Sequence, residues 1–190
     1  MMNTNHKLIK GRFGKDEYNE LVIGVGGRVE KLIYLPARQG FNCVTTLDIN
    51  ASHKPDVQWD LEKLPLPFDN NNFNEIHAYE VLEHTGAQGD YRFFFAQFCE
   101  FWRILKPGGY LMGSCPALSS PWLWGDPGHK RVICPGSLVF LDQDQYKHQV
   151  GKTAMSDYRF YWQGDFKVMD AREDRDTFYF MLRAIKPARL

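Results

Sequence analysis

Five short apolar runs mark the first two thirds of the chain, and their spacing constrains the fold more than any other feature. "NELVIG" (19–24) stops on a glycine and "NCVTTLDI" (42–49) is rich in β-branched residues. "DVQWDL" (56–61), "FNEIHAYEV" (73–81) and "YLMGSCP" (110–116) follow. Each run has the length of a buried strand. Between the first two, "VEKLIYL" (29–35) places Val29, Leu32 and Ile33 at helical spacing ahead of Pro36, which ends or kinks a helix. Between the last two, "YRFFFAQFCEFWRIL" (91–105) sets Phe94, Phe98, Trp102 and Leu105 on one stripe, and "KPGG" supplies the stop. Strands alternating with helices predict an α/β fold, a mostly parallel sheet with helices on both faces.

The tail changes character. "FKVMDAR" (166–172), the turn "ED" and "RDTFYFMLRAI" (175–185) predict an antiparallel hairpin over 166–185, added to that sheet. Residues 1–18 are polar and read as an N-terminal arm. Residues 117–160 are rich in Pro, Trp and Gly and lack periodicity. A stretch of that length inside a compact domain predicts a lid or acceptor-binding insertion. The 190 residues suit a single domain over 1–190, with no internal repeat.

Formal net charge is zero, which argues against tight nonspecific nucleic-acid binding, although "HKR" (129–131) leaves a local anionic contact open. No apolar run reaches the length of a membrane span, and "MMNTNHKLIKGRF" lacks the apolar segment of a signal peptide. Cys43, Cys99, Cys115 and Cys134 form no C-x-x-C pair, so reduced thiols and a cytoplasmic location are expected. His6, His53, His77, His84, His129 and His148 never form a close pair in sequence. No metal is expected on that ground, Asp126-x-x-His129 being only a weak candidate.

The loop "VIGVGGR" (22–28) brings Gly24, Gly26, Gly27 and Arg28 to the end of the first strand, where backbone can approach a ligand without a Cβ in the way. Asp48 ends the second strand 24 positions beyond Gly24, near the spacing at which an acid meets a ribose diol. Alone, this pair is common among α/β proteins.

The next segment is more specific. "DLEKLPLPFDNNNFNEIHAYEVLEHT" followed by "FWRILKPGGYLMGSCP" resembles the class I S-adenosylmethionine-dependent methyltransferases, in particular the small bacterial and phage-type, type 11-like members. The resemblance covers roughly residues 20–116. It implies a Rossmann-like seven-stranded sheet with an antiparallel last strand. It implies S-adenosyl-L-methionine as cofactor and S-adenosyl-L-homocysteine as product. Gly24 and Gly26, with Gly27, would lie along the methionine part. Asp48 would take the ribose hydroxyls, Ile49 the adenine face, Asp60 the adenine amino group and the Leu61 N–H the ring. Ala78, Tyr79 and Glu80 would line the methyl-donor end. Two positions depart from the pattern. Val22 stands where an acid is usual, with Glu20 two residues back on the same strand face, and Arg28 stands where a third glycine is common. The cofactor has no phosphates, so two glycines suffice for close approach. Arg28 either pairs with the methionine carboxylate or is a solvated first-turn residue.

Methyl transfer from a sulfonium needs alignment above all. A base is needed only where the acceptor must lose a proton. Glu80 and His84 in "YEVLEH", and His129 in "GDPGHKR", are the candidates. Each has a plainer reading: Glu80 as a helix-start acid, His84 as a structural or cofactor-side residue, His129 with Asp126 as a polar turn. Glu83 reads as a solvated or capping acid. Trp122, Trp124 and Trp162 suggest an acceptor wall or lid packing, and Trp122, Trp124, Asp126 and His129 are the substrate-binding candidates. The stretch "AYEV" lacks the D/N-P-P-aromatic motif of amino-methylating DNA enzymes, and Cys115-Pro116 and Cys134-Pro135 reverse the Pro-Cys order of cytosine-carbon enzymes. A small molecule, sugar or modified nucleotide is therefore expected as acceptor. A cofactor-binding regulatory or scaffold protein with a degraded site is the alternative, motivated by Val22. A nicotinamide-dependent reductase would need a fuller G-x-G-x-x-G.

Overall fold

The computed structural model of the chain describes residue 14, residues 17–26 and residues 29–190. Its strands are β1 (Asn19–Ile23), β2 (Cys43–Asp48), β3 (Val57–Gln58), β4 (Phe73–Tyr79), β5 (Leu105–Pro116), β6 (Phe166–Asp174) and β7 (Thr177–Ala184). They form one seven-stranded sheet in the order β3-β2-β1-β4-β5-β7-β6. The first five pair in parallel, and β7 runs antiparallel to both β5 and β6. This is the Rossmann-like sheet expected. The hairpin turn falls at Arg175-Asp176, later than "ED", because Glu173 and Asp174 still pair across the strands and Arg175 takes a left-handed φ of 47°.

The long helix α1 (Tyr91–Ile104) starts where the Asp90 carboxylate accepts the Phe93 N–H at 3.0 Å. It buries Phe95, Gln97, Phe98, Phe101 and Ile104. That stripe is rotated from the expected one: Phe98 is common to both, while Phe94 and Trp102 are half-buried flanks. The helix ends before Leu105, since Lys106 precedes Pro107 and is sterically kept out of helical backbone. The chain then enters β5 directly, five residues earlier than the apolar run suggests.

Period-two alternation sorts the sheet into two unlike faces. Leu21, Leu47, Ile76, Leu111, Phe180 and Leu182 share one core cluster with α1. Residues 117–160, which lack periodicity in the sequence, fold onto that cluster. They form α2 (Trp122–Gly125), α3 (Pro135–Leu138) and α4 (Gln143–Gln149), and Leu123, Leu138, Leu141 and Tyr146 are buried. Trp162 is also fully buried, its indole N–H donating to the Leu141 carbonyl at 3.1 Å, so it belongs to the core and to no acceptor wall.

The opposite face carries Glu20 on β1 beside Glu75 on β4, with His77 next along β4. Here the expected helix over 29–35 is absent: residues 29–34 hold no regular element, and Leu35 bridges to Arg38. The reason is chemical. A full apolar stripe cannot bury against carboxylates: Ile33 is buried, while Val29 and Leu32 are left exposed. Lys31 goes in instead, its ammonium 2.7 Å from Glu20 Oε1 and 2.6 Å from Glu75 Oε2. The Asn42 N–H donates to the second Glu20 oxygen at 2.7 Å, and the Tyr18 hydroxyl donates to Glu75 at 2.6 Å. Among the described residues no helix is long and apolar enough to cross a membrane.

Candidate functional site

In a parallel sheet the crevice opens at the carboxyl ends of the strands, where the strand order reverses. Here that point lies between β1 and β4. A cavity of about 250 Å³ sits there, lined by Gly24 after β1, by Leu47, Asp48 and Ile49 at the end of β2, by Trp59, Asp60, Leu61 and Glu62 after β3, and by Val81, His84 and Thr85 after β4. Four of the predicted cofactor residues, Asp48, Ile49, Asp60 and Leu61, thus meet Gly24 across one space. Trp59, Glu62, Val81 and Lys130 were not legible from motifs. Lys130 arrives from far along the chain and pairs with Glu62 at 2.7 Å.

Asp48 has a local task. Its Oδ1 accepts the Asn50 N–H at 2.8 Å. Its Oδ2 accepts the Gly26 N–H at 3.2 Å and faces His53 Nδ1 at 3.0 Å. Burial works against the charge, yet these donors hold the carboxyl below its usual range. A carboxylate has about four acceptor positions, so roughly one remains for a ligand. Gly24 has φ 67°, and a Cβ there would collide with the Val81 side chain. The glycine is required by its protein neighbour as well as by any ligand. Gly26, with φ 54°, turns the loop back toward Asp48. Gly27 and Arg28 lie outside the described residues.

Two further cavities adjoin the first. One, of about 150 Å³, shares Gly24 and is lined by Val22, Val25, Glu30, Leu32 and Tyr79. Tyr79 donates to His77 Nδ1 at 2.7 Å and accepts the Ile33 N–H at 3.1 Å, and burial pushes its phenol up to about 12. Glu20, considered as a stand-in for the acid missing at Val22, is consumed by Lys31 and Asn42. Ala78 points to the other face and is wholly buried in the core, so it lines none of these cavities.

The third, of about 270 Å³, shares His84 and is lined by Glu80, Glu83, Ser120, Trp122, Asp126, His129, Asp176 and Thr177. All three catalytic candidates, Glu80, His84 and His129, therefore converge, as do Trp122 and Asp126. Trp124 is 71% exposed and lines none of the cavities described. Glu80 holds a strained φ of 50° and accepts the Ser114 hydroxyl at 2.7 Å. The His84 and His129 rings meet edge to face with centroids 4.7 Å apart, a pairing that sequence spacing conceals. Glu83 overturns its solvated reading. It is 1% exposed, and burial with the nearby Glu80 charge pushes its carboxyl up to about 7. Its backbone carbonyl accepts the Lys130 N–H at 2.7 Å, which ties this turn to the segment bearing His129.

No family model and no curated protein matches the chain by sequence. Solved structures do match by shape. A SAM-dependent methyltransferase from Archaeoglobus fulgidus superposes with TM-score 0.54 at 14% identity, covering 89% of this chain and 87% of its own. The N-methyltransferase NodS from Bradyrhizobium japonicum WM9, in complex with S-adenosyl-L-homocysteine, gives 0.51 at 12% identity over 88% and 78%. The 16S rRNA (adenine(1408)-N(1))-methyltransferase from Catenulisporales acidiphilia gives 0.50 at 12% identity over 91% and 87%. Sheet order, the single antiparallel strand and these superpositions agree: the chain has the fold of the class I S-adenosylmethionine-dependent methyltransferases.

Proposed function

We propose that the chain transfers the methyl group of S-adenosyl-L-methionine to an acceptor held in the cavity beside Glu80, leaving S-adenosyl-L-homocysteine. One observation carries this reading. Gly24, Asp48, Ile49, Asp60 and Leu61, which the sequence resemblance assigns to the cofactor, line a single cavity at the strand-order reversal, and that cavity shares His84 with a second, polar one. The residues fit the group. Asp48 keeps about one acceptor position for a ribose hydroxyl, exposed Ile49 offers an apolar lip for adenine, and Asp60 offers a carboxylate for the amino group. Tyr79 and Gly24 border the space for the methionine part, and Arg28, outside the described residues, is the sequence's candidate for its carboxylate. The cofactor supplies an activated methyl on a sulfonium. The chain's own part is to align the acceptor among Glu80, His84, Trp122, Asp126 and His129, with a carboxylate or imidazole to take a proton where the acceptor holds one. A small molecule, sugar or modified nucleotide suits a polar cavity of this size. The cysteines are unpaired, which supports a cytoplasmic setting.

Calorimetric titration with S-adenosylmethionine and S-adenosylhomocysteine tests the reading. Wild-type chain should bind both, and Asp48→Ala should bind about 10–100-fold more weakly, the worth of a charged hydrogen bond. Absence of binding by folded wild-type chain would refute the reading.

A further inference from the structure

Two clusters among the described residues bring histidine and carboxylate ligands within metal-binding distance: two carboxylates and a histidine, Glu20, Glu75 and His77, on the sheet, and one carboxylate and two histidines, Glu83, His84 and His129, at the polar cavity. The first is already neutralised, because the Lys31 ammonium lies between its two carboxylates. In the second no ammonium lies between the ligands; the buried Arg131 acts on Glu83 from a distance and gives its hydrogen bonds to Leu82, Thr85 and Gln97. The candidate donor atoms of this second cluster lie within 4.8 Å of one another. Glu83 is almost wholly buried, yet neither of its carboxylate oxygens has a hydrogen-bond partner, and the Cys115 thiol and the Glu80 carboxyl stand beside it. A buried carboxylate without partners is costly.

The imidazoles supply an independent observation. His84 Nδ1 lies 3.1 Å from the Gly128 carbonyl oxygen, and His129 Nδ1 lies 3.2 Å from the Leu123 carbonyl oxygen. A carbonyl only accepts, so both Nδ1 atoms donate, which leaves Nε2 of each ring for a ligand; at His129 that atom lies 3.8 Å from Asp126 Oδ2. Metal-ligating histidines are oriented in this way by backbone carbonyls. The supports come from the 117–160 segment, so the site exists only when that segment is packed against the turn after β4.

We propose that Glu83, His84 and His129 form a binding site for a divalent first-row transition ion such as Zn²⁺ or Co²⁺. Two imidazoles and a carboxylate suit such ions, and three protein ligands leave coordination positions open to the cavity. Glu80 and Asp126 border the same cavity, each with an oxygen already bonded to the protein, at Ser114 and at Gly128. The acceptor class then follows, resting on the methyl-transfer reading: an oxygen-bearing acceptor whose hydroxyl binds the ion and gives up its proton more readily for that, with Glu80 at hand to take it.

The test is titration of tag-free, chelator-treated chain with Co²⁺, read by visible absorption, and with Zn²⁺ by calorimetry. The expected result is one tight equivalent in wild-type chain. Glu83→Gln and His129→Ala should each weaken it by at least about 30-fold. Glu83→Gln keeps the shape and removes a buried charge, so circular dichroism should show it folded. No stoichiometric binding, or equal binding by both variants, would overturn the site. S-adenosylmethionine titrated into the same samples separates the two readings. Cofactor binding without cobalt binding refutes the metal site alone. Cobalt binding without cofactor binding supports the metal site and refutes methyl transfer.

Discussion

Lys31→Met is expected to destabilise the chain by about 3–5 kcal/mol, the cost of breaking a buried ion pair from one side. Glu20 and Glu75 face each other in register on β1 and β4, both buried. With the ammonium gone, two carboxylates remain side by side in low dielectric, and like charges that close cannot both ionise. Urea denaturation checks the magnitude. Adding Glu20→Gln to Lys31→Met should restore part of the loss, because one charge is then removed together with its partner. A merely local packing defect would not be rescued this way.

The pH dependence carries a second signature. In the wild-type chain burial pushes the Glu75 carboxyl up, but hydrogen bonds from His77, Lys31 and Tyr18 outweigh it and hold the group near about 2. Its folded value lies below the unfolded one, about 4.3. Its contribution to stability is therefore full above that value and lost as pH falls through about 2. Lys31→Met should reverse the sign over the weakly acidic range: protonating one of the paired carboxylates then relieves repulsion, so stability rises as pH drops from 7 toward 5. An unfolding series that stays parallel to wild type from pH 7 to 5 would refute this account of the cluster.

Gly24→Ala is the second change with a large expected effect. A left-handed φ costs an alanine about 1–2 kcal/mol, and overpacking adds about 1–3 kcal/mol. The collision is with the Cβ and methyls of Val81, a stiff β-branched side chain in the same cavity. Both strands of the crevice are displaced, so cofactor affinity should fall more than about tenfold. Val81→Ala in the Gly24→Ala background should recover the part due to the Val81 methyls and leave the Cβ contact and the φ strain. Thermal unfolding with S-adenosylmethionine titration measures both. Unchanged affinity in the single variant would remove the glycine from the cofactor's wall.

Much of the site was readable because its signals are local. A strand that ends in glycine, an acid at the end of the next strand and the "VLEH" to "LKPGG" stretch together point to one kind of crevice. The strand-order reversal carries these segments to one edge without further specification. The helix expected at 29–35 failed for a reason equally physical. Periodicity reports that a segment has an apolar stripe, not that an apolar surface awaits it. Glu20 and Glu75 removed that surface, and Lys31 answered them.

The amino-acid sequence by itself determined the parallel sheet, the closing hairpin, the position of α1 and many of the residues around the cavity at the strand-order reversal, since hydrophobic period, turn chemistry and strand-end acids act within a few residues. Only the tertiary structure decided the rest. His84 and His129 meet across 45 positions, Glu83 is buried beneath the backbone of Lys130, and the Trp162 indole is spent on the core. These outcomes depend on how the 117–160 segment packs, and that packing is set by distant apolar contacts and carbonyl acceptors that leave no period in the chain.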